Sequence, residues 1–168
     1  MVLGLSLQAF TFLHVAISLI AIAAGLLVLL AMIGGRDLKP LTALFLLTTA
    51  LTSLTGFLFP FKGVTPGIVV GILSLIVLAL AMIARRRGWP GTYAITATLA
   101  LYFNVFVLIV QSFEKIQALK DIAPTQASPV FGITQLAALV LLIILTVVAY
   151  RRFRPAAAVR TPLQSTAK

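Results

Sequence analysis

The sequence has no cysteine, three acidic residues, one histidine and one tryptophan in 168 positions. Without cysteine there are no disulfides, thiolate metal sites, CxxC redox centres or cysteine nucleophiles. The acids are spread out: Asp37 and Asp121 fall in loops, and Glu114 sits at the rim of an apolar segment. None of them offers the carboxylate deep in a membrane that a proton-coupled transporter usually needs. A single histidine excludes haem held by two histidines of one chain. A zinc or copper site would need more ligands than the chain supplies. GxSxG, HExxH, paired carboxylates and a phosphate-binding glycine loop are all missing. One histidine and a rim glutamate could exchange protons, but nothing positions a nucleophile. No catalytic residue, metal or cofactor is therefore assigned, and an enzyme is the disfavoured class.

Charge is also scarce. Only 10% of the residues are charged and 61% are hydrophobic, with a mean hydropathy of +1.17. A soluble domain carries about 25% charged and 45–50% apolar residues. The excess is too large for one small core, and lipid is its natural solvent. The net charge of +10 comes with no nucleic-acid-binding motif, so nucleic acid is not an expected partner. Basic residues in such a chain mark the cytoplasmic face and meet anionic lipid headgroups.

At about 20 residues per crossing, five apolar segments are long enough: 7–33, 41–61, 66–84, 92–113 and 130–150. "GGRDLKP", "PFKGVTP", "RRRGWPG" and "APTQASP" separate them. Pro40, Pro66 and Pro90 suit helix starts, and Thr65 is a candidate N-cap. The first segment lacks a basic n-region, and its apolar run continues past Ala21–Ala23. It therefore reads as a span and not as a cleaved signal. Alternate loops hold Arg36 and Lys39, then Arg85, Arg86 and Arg87, then Arg151, Arg152, Arg154, Arg160 and Lys168. The other side holds only Lys62, Lys115 and Lys120. The positive-inside rule puts the arginine-rich loops in the cytoplasm. The expected fold is thus an all-α membrane protein, a five-transmembrane-helix bundle over residues 1–154, with an extracytoplasmic N-terminus and a cytoplasmic C-terminus. Residues 155–168 form a basic tail, expected to be disordered near lipid headgroups.

Polar residues recur on one face of each span. Thr11, His14 and Ser18 line the first; Thr48, Thr52 and Thr55 the second; Gly67, Gly71 and Ser74 the third. Asn104, Gln111 and Glu114 line the fourth, and Gln135 opens the fifth. Gly67, Gly71 and Ser74 read as a helix-packing stripe, since small residues let membrane helices approach. At 1.5 Å per residue, Asn104 lies some ~13 Å below the outer surface, Thr52 ~12 Å and Thr55 ~8 Å. His14 lies about 7–10 Å down, with Gln111, Glu114 and Gln135 around the rim. Asn104 and Gln111 are one heptad apart, so both are expected to face inward, because unsatisfied amides in lipid are expensive. The candidate ligand-binding set is His14, Thr52, Thr55, Asn104, Gln111, Glu114 and Gln135, a polar pocket in the extracytoplasmic half. The competing explanation is an interhelical hydrogen-bond network that only fixes packing. "FEKIQALKDI" places Ile116, Leu119 and Ile122 at steps of three, as an amphipathic continuation of the fourth helix would.

"TTALTSLTGFLFPF", "LYFNVFVLIVQSF", "LKDIAPTQASPVF" and "LHVAISLIAIAAGL" resemble an uncharacterised family of small bacterial multi-span inner-membrane proteins. The resemblance covers most of the chain before the basic tail. It implies a bacterial inner (cytoplasmic) membrane and brings no substrate, fold or site residue with it. Two functions follow as expectations. One is a small membrane protein that binds or transports a hydrophobic or amphipathic ligand. The other is a non-catalytic accessory or structural subunit of a larger membrane complex, or a homo-oligomer.

Overall fold

In the computed structural model, residues 2–60 and 66–153 are described, and these are helical throughout apart from turns. Lys62, the proposed Thr65 cap, Arg154 and the basic tail 155–168 lie outside them. The helices are α1 (Leu7–Ile33), α2 (Lys39–Gly56), α3 (Pro66–Arg87), α4 (Pro90–Lys115), the short α5 (Gln117–Ile122) and α6 (Pro129–Arg152). Ser6 caps α1 by accepting from Ala9 N–H at 3.2 Å. Prolines open α2, α3, α4 and α6, where their missing N–H removes no helical bond. Gly88, at φ +69, provides the sharp turn between α3 and α4.

The long helices run alternately up and down. α4 packs on α1, α2, α3 and α6, while α1–α2, α2–α3 and α1–α6 also touch. One end gathers the loop before α2, the end of α3, the start of α4 and the end of α6. There Asp37 meets Arg85, Gly35 approaches the Arg152 carbonyl and Gly91 lies under Tyr150. Arg36, Lys39, Arg86, Arg87 and Arg151 belong to the same loops and helix ends, so this is the basic end. At the far end Phe10 meets Phe59, Phe57 covers Gly71 and Phe113 meets Phe131.

The packing is inverted relative to a soluble protein. Ala21, Ala81, Ala94, Ala100 and Ala149 are completely buried, while Leu30, Ile76, Ile133, Leu136, Leu141 and Ile144 are more than half exposed. Small residues inside and bulky apolar ones outside are what a bundle solvated by lipid requires. Four helices (α1, α3, α4 and α6) are long and apolar enough to cross a membrane. α2 is the exception. Its 18 residues span about 27 Å, and five threonines and a serine lower its hydropathy. Its outer face is nonetheless the row Leu44, Leu47, Leu51 and Leu54, exposed at 43, 60, 38 and 51%.

Most boundaries lie within three residues of the sequence expectation, and two features depart further from it. α2 stops at Gly56 and not at residue 61, because Phe57 turns onto Gly71 and Phe59 onto Phe10 and His14. The expected continuation of α4 is also interrupted. Ile116 adopts an extended conformation (φ −91, ψ 113), and α5 follows as a separate helix. A small second core of Phe113, Ala123 and Phe131, with Leu119 against it, holds this connection.

Candidate functional site

The inward face of α2 organises the polar groups. Thr42, Phe45, Thr49 and Thr52 recur at steps of three and four, which places them on one side of the helix. Thr42, Phe45 and Thr49 are at most 2% exposed. Leucines occupy the opposite row, so this helix is amphipathic with its hydroxyls turned to the protein.

The polar residues of the far half are paired across several different helix interfaces and do not form one cluster. Thr55 is one helical turn beyond Thr52. Its hydroxyl donates to the Leu51 carbonyl at 2.7 Å. The same Oγ1 stands 2.7 Å from His14 Nδ1, a pair in which the imidazole tautomer decides which atom donates. Phe59 stands edge-on to the imidazole with centroids 5.2 Å apart. Asn104 Nδ2 donates to Thr49 Oγ1 at 3.1 Å, joining α4 to α2 within the buried interior. Ser53 donates to Ser74 at 3.1 Å, joining α2 to α3. Gln135 Nε2 donates to the Phe106 carbonyl at 3.2 Å, joining α6 to α4.

Three buried side-chain oxygens have no hydrogen-bond partner among the described residues: Thr52 Oγ1, Gln135 Oε1 and Tyr93 Oη. The first two belong to the predicted set. Unsatisfied buried oxygens cost roughly 1–3 kcal/mol each, so they mark places where the protein's own packing does not use its polar groups.

The structure separates other members of the set. Gln111 is exposed and not inward-facing. The heptad spacing is right, but the wall opposite is missing. α2 and α4 run parallel, with Thr49 level with Asn104; seven residues on, Gln111 is level with Gly56, the last residue of α2. Glu114 is likewise exposed and accepts from Gln126 Nε2 at 3.1 Å, tying α4 to the loop before α6. Of the packing stripe, Gly71 lies under Phe57, whose Cζ would stand 2.9 Å from an added Cβ. Ser74 is buried and Gly67 is exposed.

Sequence reasoning missed Thr49, which the step from Thr48 to Thr52 bypassed, and the whole polar cluster at the basic end. There Arg85 Nη2 donates to both carboxylate oxygens of Asp37, at 3.0 and 3.2 Å. The guanidinium lies 5.2 Å from the Tyr93 ring centroid. Thr42 and Arg85 flank the Tyr93 hydroxyl, neither at bonding geometry. The available signal was Asp37, the one acid in the arginine-rich stretches of the sequence.

Between the two polar regions lies a dry layer. Gly25, Val28, Leu29, Met32, Phe45, Ala97, Thr98 and Leu101 line a space that admits no water. Thr98 contributes little polarity there, since its hydroxyl donates to its own helix at Ala94 O, 2.8 Å away. A second hollow is an open groove along α1, formed by Leu7, Gln8, Thr11, Phe12 and Val15. It excludes His14 and Asn104. Among the described residues no group of three or more histidines and acids could hold a metal ion. The chain matches no protein-family model, no curated protein and no solved structure.

Proposed function

We propose that the chain is a five-span integral protein of a bacterial cytoplasmic membrane that binds or passes a small hydrophobic or amphipathic ligand. The arginine-rich end lies in the cytoplasm among anionic headgroups, and the ligand enters the opposite half. The inverted pattern of α2 carries this reading: leucines toward lipid, hydroxyls toward the protein, and Thr52 Oγ1 buried with no protein partner. It supports α2 as the fifth crossing, and the gathering of Arg85, Arg86, Arg87, Arg151 and Arg152 at one end supports the orientation. The polar wall consists of His14, Thr52, Thr55, Asn104 and Gln135. The hydrogen-bonding atoms it keeps for a ligand are His14 Nε2, Thr52 Oγ1 and Gln135 Oε1. Gln111 and Glu114 stand outside the wall.

A second reading has its own support. The pairs His14–Thr55, Asn104–Thr49, Ser53–Ser74 and Gln135–Phe106 each bridge one helix interface. Such closed pairs are what a structural subunit of a larger membrane complex, or of a homo-oligomer, would use. Native mass spectrometry of the mildly extracted protein separates the two. A retained small molecule that is lost in Thr52→Val and Gln135→Leu is the outcome expected for a ligand protein. A retained polypeptide, or a bare oligomer with unselective lipid, would replace it with the accessory role.

A further inference from the structure

The inward row of α2 is hydroxyl, phenyl, hydroxyl, hydroxyl: Thr42, Phe45, Thr49, Thr52. It covers about 15 Å along the helix. The two buried hydroxyls that lack protein partners near this row lie on opposite sides of Phe45. Tyr93 Oη is beside Thr42 toward the basic end, and Thr52 Oγ1 is toward the far end. Each is backed by groups nearer its own surface. Arg85 and Asp37, exposed at 25 and 23%, lie outside Tyr93. His14 and Thr55 lie outside Thr52. Phe45 alone interrupts the row, and the layer around it is dry. Its ring fits because residue 25 is glycine: an added Cβ would stand 2.7 Å from Phe45 Cε2 and 2.8 Å from Leu101 Cδ1.

We propose that α2 lines two polar half-paths, one from each end of the bundle, and that Phe45 seated on Gly25 is the closure between them. Water is the occupant that fits them, since it can both donate to and accept from a hydroxyl row. Protons are the species that a joined water chain would carry across. This activity goes beyond the ligand reading and does not rest on it, because a half-path needs no retained ligand.

The absence of native cysteine makes the test direct. The full chain is placed in sealed vesicles of defined orientation, with single cysteines replacing Thr42 or Thr52. A small, charged methanethiosulfonate is expected to reach Thr42→Cys from the basic face and Thr52→Cys from the other. Each should react about tenfold or more faster from its own side. Phe45→Ala should then dissipate an imposed pH gradient about tenfold or more faster than the unaltered chain. Phe45→Leu should hold the gradient, and Phe45→Ala combined with Thr52→Val should slow the leak again. If Phe45 only fills space, its removal leaves an apolar hole that stays dry, and an unchanged gradient overturns the proposal. So does a leak that ignores Thr52→Val. Should Phe45→Ala fail to fold, the cysteines decide alone: both inert from either face would overturn the half-paths. Loss of the ligand reading by mass spectrometry would leave these rates unaffected.

Discussion

The two ends of the bundle handle polarity differently. At the basic end a single carboxylate is clasped by one arginine, which rests against a buried tyrosine ring. At the far end neutral groups pair across helix interfaces, as in His14–Thr55 and Asn104–Thr49. Charge can be kept where headgroups and water reach it. Farther into an apolar bundle, hydroxyls and amides can be satisfied without the desolvation cost of an ion. Between them Val28, Leu29, Met32, Ala97 and Leu101 close around Gly25 and the ring of Phe45. The bundle therefore holds three kinds of site: a close-packed middle, a charged clasp and a set of neutral pairs.

The largest effect should come from the middle. Gly25→Val must displace both Phe45 and Leu101, and overpacking of this kind costs about 1–3 kcal/mol or more. The midpoint of thermal unfolding in detergent should fall the most for this variant, and a stability equal to that of the unaltered chain would mean that the Phe45 seat is loose. Next comes the clasp. Arg85→Ala removes an ion pair that is partly open to solvent together with its contact to Tyr93. The expected loss is about 1–2 kcal/mol, between the values for exposed and buried pairs. Exchanging the two charges, Asp37→Arg with Arg85→Asp, should recover part of it.

The neutral pairs should weigh less. A double-mutant cycle with Asn104→Leu and Thr49→Val should give a coupling of about 0.6–1.7 kcal/mol, the range of hydrogen bonds between membrane helices. No coupling would mean that the two side chains find other partners when separated. Smallest of all, Gln111→Ala should stay within about 0.5 kcal/mol, as surface substitutions do. A loss comparable to that of Asn104→Leu would place Gln111 back inside the bundle.

Much of this arrangement was legible in the residues. Long apolar runs broken by proline and glycine marked the helices, and the arginine clusters marked one end. His14, Thr55 and Asn104 were readable because amides and imidazoles in an apolar helix must find partners. Depth counted from the helix ends put them in the same half. Gln111 was misjudged because heptad spacing gives direction along one helix but not the length of its neighbour; α2 ends level with it. The Asp37–Arg85 clasp was hidden for a similar reason. Its residues lie 48 positions apart, and only the turn at Gly88 and the α3–α4 packing bring Arg85 over Tyr93. The dry layer also depends on a tertiary fit, since Gly25 alone gives no hint that Phe45 occupies its place.

As the proposed fifth span, α2 would cross the membrane with its hydroxyls inward and its leucines in lipid. Nitroxide scanning from residue 42 to 54 in liposomes tests it most directly, because oxygen partitions into lipid and a charged nickel chelate stays in water. Oxygen collisions should peak at Leu44, Leu47, Leu51 and Leu54 and fall at Thr42, Phe45 and Thr49, with little access for the chelate at the leucines. Leucine positions open to the chelate, or no helical period at all, would take α2 out of the bilayer and contradict the account.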